Sequence, residues 1–413
     1  MSTDRRNFLR YLCAGAMGVA GRARSRAVAA PFQLAPPLRY PYLQNLVAKR
    51  VTVLWTTAES HFATVQYSVD RSSWATVEAS IQEFPTAWTG LTYPFYQYQA
   101  ELTDLNPGTD YSYRVILDNR NLTPLDDLHF RTPDSGPFRF LVFGDSGAGT
   151  PAEFSVAQRM ALDSPVLVLH TGDLAYPNGR FLEFEQNYFP YYRDLMRLVP
   201  FFPCPGNHEY DTRDGVPYLA VHAVPTEGVP IKDRGRYYSF DWGNVHFISL
   251  DSNTPLAEAA TGRGEMLDWL ENDLQKTQQF WRIAYFHHPP YATGINQTDF
   301  HEGLVRDRIV PILERHDVQL VFNGHEHSYQ RSKPLRRGVP VGPDKGTLYV
   351  TTGGGGANLY PTFEHSLTAV RWSTHNYVRT DVEGYRITVR AIRSDGVEID
   401  KITLDRSPSR RRP

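Results

Sequence analysis

The sequence predicts two domains, an N-terminal β-sandwich followed by an α/β domain of stacked layers, and three observations carry that reading. The chain has 413 residues, more than one small core accommodates. Between residues 51 and 132 short runs alternate apolar and polar side chains with period two, and no helical period interrupts them. Beyond residue 137 buried-type strands alternate with helix-period stripes, the texture of an α/β architecture.

The elements follow in order. Residues 31–41 are Pro-rich and read as a linker and strand lead-in. Runs at 51–55, 64–69 and 96–102 alternate as half-buried strands do. The turn at Asn106-Pro107-Gly108 leads into another run at 111–115, and 126–132 gives the last strand of a sandwich over 37–133. Strands are expected at 138–143, 165–170, 199–202, 245–250, 281–286 and 318–322. Helices are expected at 151–162 and 183–198. Leu267, Leu270 and Leu274 share one helical face, and Val305, Ile309 and Ile312 mark another. After residue 346 the chain returns to strands, at 347–351, 385–392 and 397–404, which closes a second domain over 137–405. Residues 406–413 read as a basic tail.

Composition excludes several classes. Lys and Arg total 43 against 45 Asp and Glu, a formal net charge of −2, so no global field draws nucleic acid. The cysteines are Cys13 and Cys204, too few for a Cys-based zinc site. Arg5-Arg6-Asn7-Phe8-Leu9-Arg10, a short apolar stretch at 11–21 and the small residues Ala27-Val28-Ala29-Ala30 describe an export signal over 1–30. The adjacent arginines resemble a bacterial twin-arginine signal, which implies a periplasmic or extracellular protein. The apolar stretch is shorter than the ~20 residues of a membrane span, and no other segment has that length and polarity.

Five strand-like runs end in side chains able to hold metal ions. They lead into Gly144-Asp145, Gly172-Asp173-Leu174-Ala175-Tyr176, Gly206-Asn207-His208-Glu209, His287-His288 and Gly324-His325-Glu326-His327. In open α/β sheets ligands bind beyond the carboxyl ends of strands. A lone Gly-Asp is usually a turn and a lone His pair usually structural. Five such endings in one order are far more specific.

This set resembles the calcineurin-like metallophosphoesterases and, within them, the purple acid phosphatases. Leu105-Asn106-Pro107-Gly108-Thr109-Asp110-Tyr111-Ser112-Tyr113 also resembles the corner of fibronectin type III domains, and that group carries such a domain ahead of its catalytic one. Many superfamily members have Asp-x-His at the first motif. Here the third position is Gly147, and Tyr176, three residues after Asp173, stands where purple acid phosphatases supply a tyrosine instead. The resemblance implies a catalytic domain with two mixed sheets flanked by helices. It assigns one metal to Asp145, Asp173, Tyr176 and His327, and a second to Asp173, Asn207, His287 and His325, with Asp173 bridging. A phenol at the first site suits Fe(III); two imidazoles at the second suit divalent Zn, Fe or Mn.

The implied activity is hydrolysis of small phosphate monoesters by a metal-activated hydroxide. The departing alkoxide needs a proton, for which His208 is the first candidate and His301 the second. His288 reads as a support of His287 or a contact to the substrate phosphate, the support being favoured, and Glu209 as a partner of the ligands beside it. Tyr329, Arg331 and Cys204 read as structural, and the Gly353–Gly356 run as a tight crossing near the site. Two rival readings remain at this stage. One is a phosphodiesterase or nucleotide hydrolase on the same scaffold; the other is a non-catalytic exported binding protein. Oligomeric state is not written in the sequence.

Overall fold

The structure is a computed structural model that describes residues 38–124, 127–253 and 264–406. The expected export signal lies outside these residues, as does the expected tail apart from Arg406. Among the described residues no helix is long and apolar enough to cross a membrane.

The N-terminal part is two antiparallel sheets. One orders β1 (Arg39–Val47), β2 (Arg50–Thr57), β6 (Phe95–Leu102) and β5 (Ser80–Phe84). The other orders β4 (Ala75–Glu78), β3 (Ala63–Ser68), β7 (Asp110–Leu117) and β8 (Arg120–Asn121), with β9 (His129–Arg131) also on β7. Their inward residues, Val53, Trp55, Val65, Tyr98, Ala100, Tyr113 and Val115, are buried, as period-two alternation requires. No helix-period segment is expected in this part, and the one helix described in it is very short. Thr86–Thr89 forms a single helical turn closed by Gly90 at φ 73°, too short to give a helical period.

The C-terminal part holds two mixed sheets packed face to face. The first orders β12 (Phe201–Pro203), β11 (Leu167–His170), β10 (Phe138–Phe143), β22 (Asn376–Glu383), β23 (Arg386–Arg393) and β24 (Glu398–Asp405). The second orders β13 (Tyr238–Trp242), β14 (Val245–Ser249), β15 (Trp281–Tyr285), β16 (Leu320–Asn323), β20 (Leu348–Thr352), β17 (Tyr329–Ser332) and β21 (Thr368–Trp372). A two-stranded ribbon, β18 (Leu335–Arg336) with β19 (Val339–Pro340), lies apart. Strands β10, β11 and β12 are mutually parallel, and so are β14, β15, β16 and β20. Aromatic rings fill the space between the sheets. Phe140 meets Phe247 edge-on at 5.2 Å, and Phe202 stacks on Phe240 at 4.0 Å.

The sequence leaves β21 and β22 unassigned, although β22 pairs directly with β10 near the middle of its sheet. Its charged residues mask an alternating strand, and the two inside it, Arg379 and Asp381, find partners. Arg379 pairs with Asp163 at 3.0 Å; Asp381 pairs with Arg139 and Arg390, both at 2.6 Å. The helices expected at 183–198 and around 305–312 form, but each contains a π turn, at Phe184–Tyr188 and Val305–Ile309. Pro190 and Pro311 follow these turns; neither has an N–H for the ordinary ladder, and the widened turn absorbs the break.

The sandwich packs on the second domain beside its site. Phe84 and Phe95 contact Phe181, at 5.8 and 6.4 Å between ring centres. Tyr42 and Gln97 donate to the carbonyls of Val221 and Ala220, both at 2.8 Å. Buried Arg39 pairs with Glu185 and lies over the Phe189 ring. Arg213 donates to the Trp88 carbonyl at 2.8 Å, which ties the loop after His208 to the short sandwich helix.

Candidate metal centre

Parallel strands bring their carboxyl ends to one edge, and the turns that follow carry the chemistry. The chain reverses immediately after β10, β11 and β16, and three non-glycine residues there adopt positive φ: Asp145 at 57°, Asp173 at 56° and His325 at 68°. Such backbones cost of order 1 kcal/mol or more each and persist where the surroundings fix them. The turns hold one another: Asp145 N–H donates to Gly172 O at 3.0 Å, and Gly324 N–H to His287 O at 3.0 Å. Gly206 is needed for close approach, since a Cβ there would sit 2.1 Å from Asp173 Oδ1.

Seven side chains from these turns converge. The Tyr176 hydroxyl stands 2.9 Å from Asp173 Oδ2, 3.3 Å from Asp145 Oδ1 and 3.0 Å from His327 Nε2. Asn207 Oδ1 lies 2.9 Å from His287 Nε2 and 3.1 Å from His325 Nδ1, and those two nitrogens are 3.2 Å apart. The two groups meet at Asp173, whose Oδ2 is also 3.4 Å from His287 Nε2.

The imidazoles are oriented from behind. His287 Nδ1 is 2.9 Å from the Thr171 carbonyl and His327 Nδ1 is 2.6 Å from the Asn358 carbonyl. A carbonyl accepts only, so each Nδ1 carries the proton and each Nε2 turns its lone pair inward. Tyr360 covers the other side of His327, its ring stacked at 4.0 Å. Glu209 is buried, and its carboxylate accepts four backbone N–H groups, those of Asp173, Leu174, Ala175 and Gly206, at 2.8–3.2 Å. It clamps two ligand-bearing turns together.

Electrostatics fit a cation. Burial alone would lower the His287 pKa, but the Asp173 and Asp145 carboxylates and the Thr171 carbonyl hold it up to about 10. Burial alone would raise Asp173, yet the imidazoles of His287, His208 and His325 keep it well below the usual carboxylate range. Burial and the neighbouring carboxylates push the Tyr176 phenol well up. With protein atoms alone the cluster needs protons to balance its lone pairs and negative charges. Positive charge in the same place satisfies every one of them, and only a strongly charged ion turns a phenol so placed into a phenolate. The donor set therefore fits two metal ions, with Asp145, Asp173, Tyr176 and His327 facing one position and Asp173, Asn207, His287 and His325 the other.

The remaining candidates surround this core. His208 is partly exposed at its mouth, Nδ1 2.5 Å from the Pro177 carbonyl and Nε2 3.9 Å from Asp173 Oδ2. His288 is buried, with Nδ1 2.8 Å from Ser252 Oγ, and His301 stacks on it at 4.8 Å. His170 contacts Ser146 Oγ at 2.9 Å behind the first turn. Gly355 N–H donates to Gly144 O and Ala357 N–H to Asp145 O, so the glycine run crosses directly behind Asp145. Tyr329 and Arg331 both bind Asp400 on β24, at 2.7 and 2.5 Å, a structural tie between the sheets, and Cys204 is fully buried. Residues not singled out from sequence are Asp299, which caps the helix that starts at Phe300, and Tyr360. An Asp two places before a His was a usable signal for the first; Tyr360 lies in a stretch with no periodic pattern.

Two face-packed mixed sheets with these donors at their strand ends are the architecture of a metallophosphoesterase. Comparison with known proteins agrees. The family described as Calcineurin-like phosphoesterase matches residues 138–329, and the Purple acid Phosphatase N-terminal domain matches 40–132. An uncharacterized protein of Mycobacterium tuberculosis is 29% identical over 309 residues, 63% of this chain and 58% of the relative. Purple acid phosphatase 21 of Arabidopsis thaliana is 30% identical, covering 65% of this chain and 61% of the relative. The chain thus matches less than two thirds of the length of these relatives. A purple acid phosphatase from yellow lupin (Lupinus luteus) seeds shares the fold with a TM-score of 0.78 at 21% identity, over 89% of this chain and 74% of that one. Some Arabidopsis relatives bear the name probable inactive purple acid phosphatase. The chain belongs to the calcineurin-like metallophosphoesterases, in their purple acid phosphatase group.

Proposed function

We propose that this chain hydrolyses small phosphate monoesters at a two-metal centre, Fe(III) on the Tyr176 side and divalent Zn, Fe or Mn on the His287–His325 side. The single observation that supports it best is the position of Asp173 Oδ2, between the Tyr176 hydroxyl at 2.9 Å and His287 Nε2 at 3.4 Å, where one carboxylate can serve both ions. When bound, the pair would neutralise phosphate oxygens and make a water acidic enough to act as the nucleophile near neutral pH.

The chain's own residues do the rest. Asp145, Asp173 and Glu209 hold the turns in place. His208 donates Nδ1–H to the Pro177 carbonyl, so Nε2 faces the cleft, and in the imidazolium form it can pass its Nε2 proton to the departing alkoxide and return to the neutral ring. His301, stacked on His288, is the second candidate for that transfer. Export through residues 1–30 would put the enzyme in the periplasm or outside the cell.

The complete donor set argues against a non-catalytic binding protein, whose reading would gain from a lost ligand. Turnover of an aryl monoester compared with its bis-aryl diester tests the substrate class. A clear monoester preference is expected; a diester preference moves the chain to the phosphodiesterases, and no turnover of either by metal-loaded protein removes the proposal.

A further inference from the structure

A second group of metal-type side chains stands beside the centre. His288, Asp299 and His301 each offer one donor atom, and these atoms lie within 4.8 Å of one another. His288 and Asp299 are held in place. His288 is 1% exposed and anchored by Ser252 Oγ at 2.8 Å. Asp299 Oδ1 accepts the His301 backbone N–H at 2.6 Å as the cap of its helix. The His301 ring lies nearly parallel to His288, at 21°.

What these groups lack is a direct bond among the side chains. Asp299 Oδ1 is 3.5 Å from His301 Nδ1, and Oδ2 is 3.9 Å from His325 Nε2. The second distance is beyond hydrogen-bond reach and the first at its outer edge. The first, between two of the three donors, resembles the spacing of ligands around an ion, since N and O donors at 2.0–2.1 Å in a tetrahedron sit roughly 3.3 Å apart. His325 Nε2 is buried, borders the same space and has no hydrogen-bond partner among the described residues. Unlike the seven-residue core, this group is open on one side, with the Asp299 and His301 side chains 32% and 30% exposed.

We propose that His288, Asp299 and His301 form a third cation site, separate from the two positions of the core. Two imidazoles and one carboxylate, with solvent at the fourth position, suit Zn(II) or a similar borderline divalent ion. His288 and Asp299 supply the fixed side. His301, at the rim, closes the site by turning about its side-chain bonds. Occupation takes the free ring nitrogen of a candidate proton donor, so an excess of the ion slows hydrolysis. That consequence rests on the phosphatase reading; the site itself does not.

The experiment is a Zn(II) titration of the metal-loaded full chain, with bound metal counted after equilibrium dialysis. Asp299→Asn keeps a helix cap and loses the anionic donor; His301→Gln changes a rim residue. Thermal melts confirm that both variants fold. Wild type is expected to take a third equivalent, and each variant to keep two and lose the third or bind it at least about tenfold more weakly. No third equivalent in wild type, or one that survives both substitutions unchanged, overturns the site. Turnover is followed in the same samples. A third equivalent that leaves turnover unaffected removes the inhibitory role alone, and absent turnover in every sample counts against the phosphatase reading while metal counts still decide the site.

Discussion

Glu209 Oε2 accepts the backbone N–H of Asp173 at 2.9 Å, joining the turn that carries Asp173 to the turn that carries Asn207. The other oxygen accepts from Leu174 and Ala175. Glu209→Ala leaves these N–H groups buried without an acceptor, at a cost of roughly 3 kcal/mol. Urea denaturation of the two proteins measures it. Metal affinity is expected to fall about 10- to 100-fold through loosened turns. Unchanged stability and affinity would mean that Glu209 is a bystander.

His208 stands against the Tyr176 ring and His301 against the His288 ring. The residue that protonates the departing oxygen matters most when that oxygen leaves poorly. Asn at that position is expected to lower turnover of alkyl phosphates roughly 100-fold and to affect a nitrophenyl ester far less. Equal losses for both kinds of ester at both positions would place the proton source elsewhere.

His246 lies far from this chemistry and sets a different test. Burial by itself would lower its pKa, but hydrogen bonds to Asp241 at 2.7 Å and Asp273 at 2.8 Å carry it up to about 9. A histidine raised in the folded state contributes stability that is complete below about pH 6.5, its unfolded value, and lost as pH climbs through about 9. Asp241 is half exposed, so solvent screening leaves roughly 1–2 kcal/mol. His246→Phe should therefore be less stable than wild type at pH 6, and the gap should narrow at pH 10. A gap independent of pH would assign the effect to packing.

How far the sequence could be read follows from where the information resides. Asp145, Asp173, Asn207, His287 and His325 were visible because each follows an apolar run, four of them beside a glycine that lets the chain turn. The orienting partners were not visible, because His287 and His327 are held by the carbonyls of Thr171 and Asn358, and a backbone carbonyl has no signature. Strand β22 was hidden by Arg379 and Asp381, which look solvent-facing until their ion pairs are known. The one-turn helix at Thr86–Thr89 is shorter than any period can register.

Metal content of the purified full chain, wild type beside Asp173→Asn, bears most directly on the two-metal centre. Two ions per wild-type chain are expected, with a visible absorption band that Tyr176→Phe abolishes. Asp173→Asn should lose ions from both positions, because its carboxylate faces both. Fewer than two ions in wild type, or an Asp173→Asn variant that keeps both, would contradict a centre bridged by this residue.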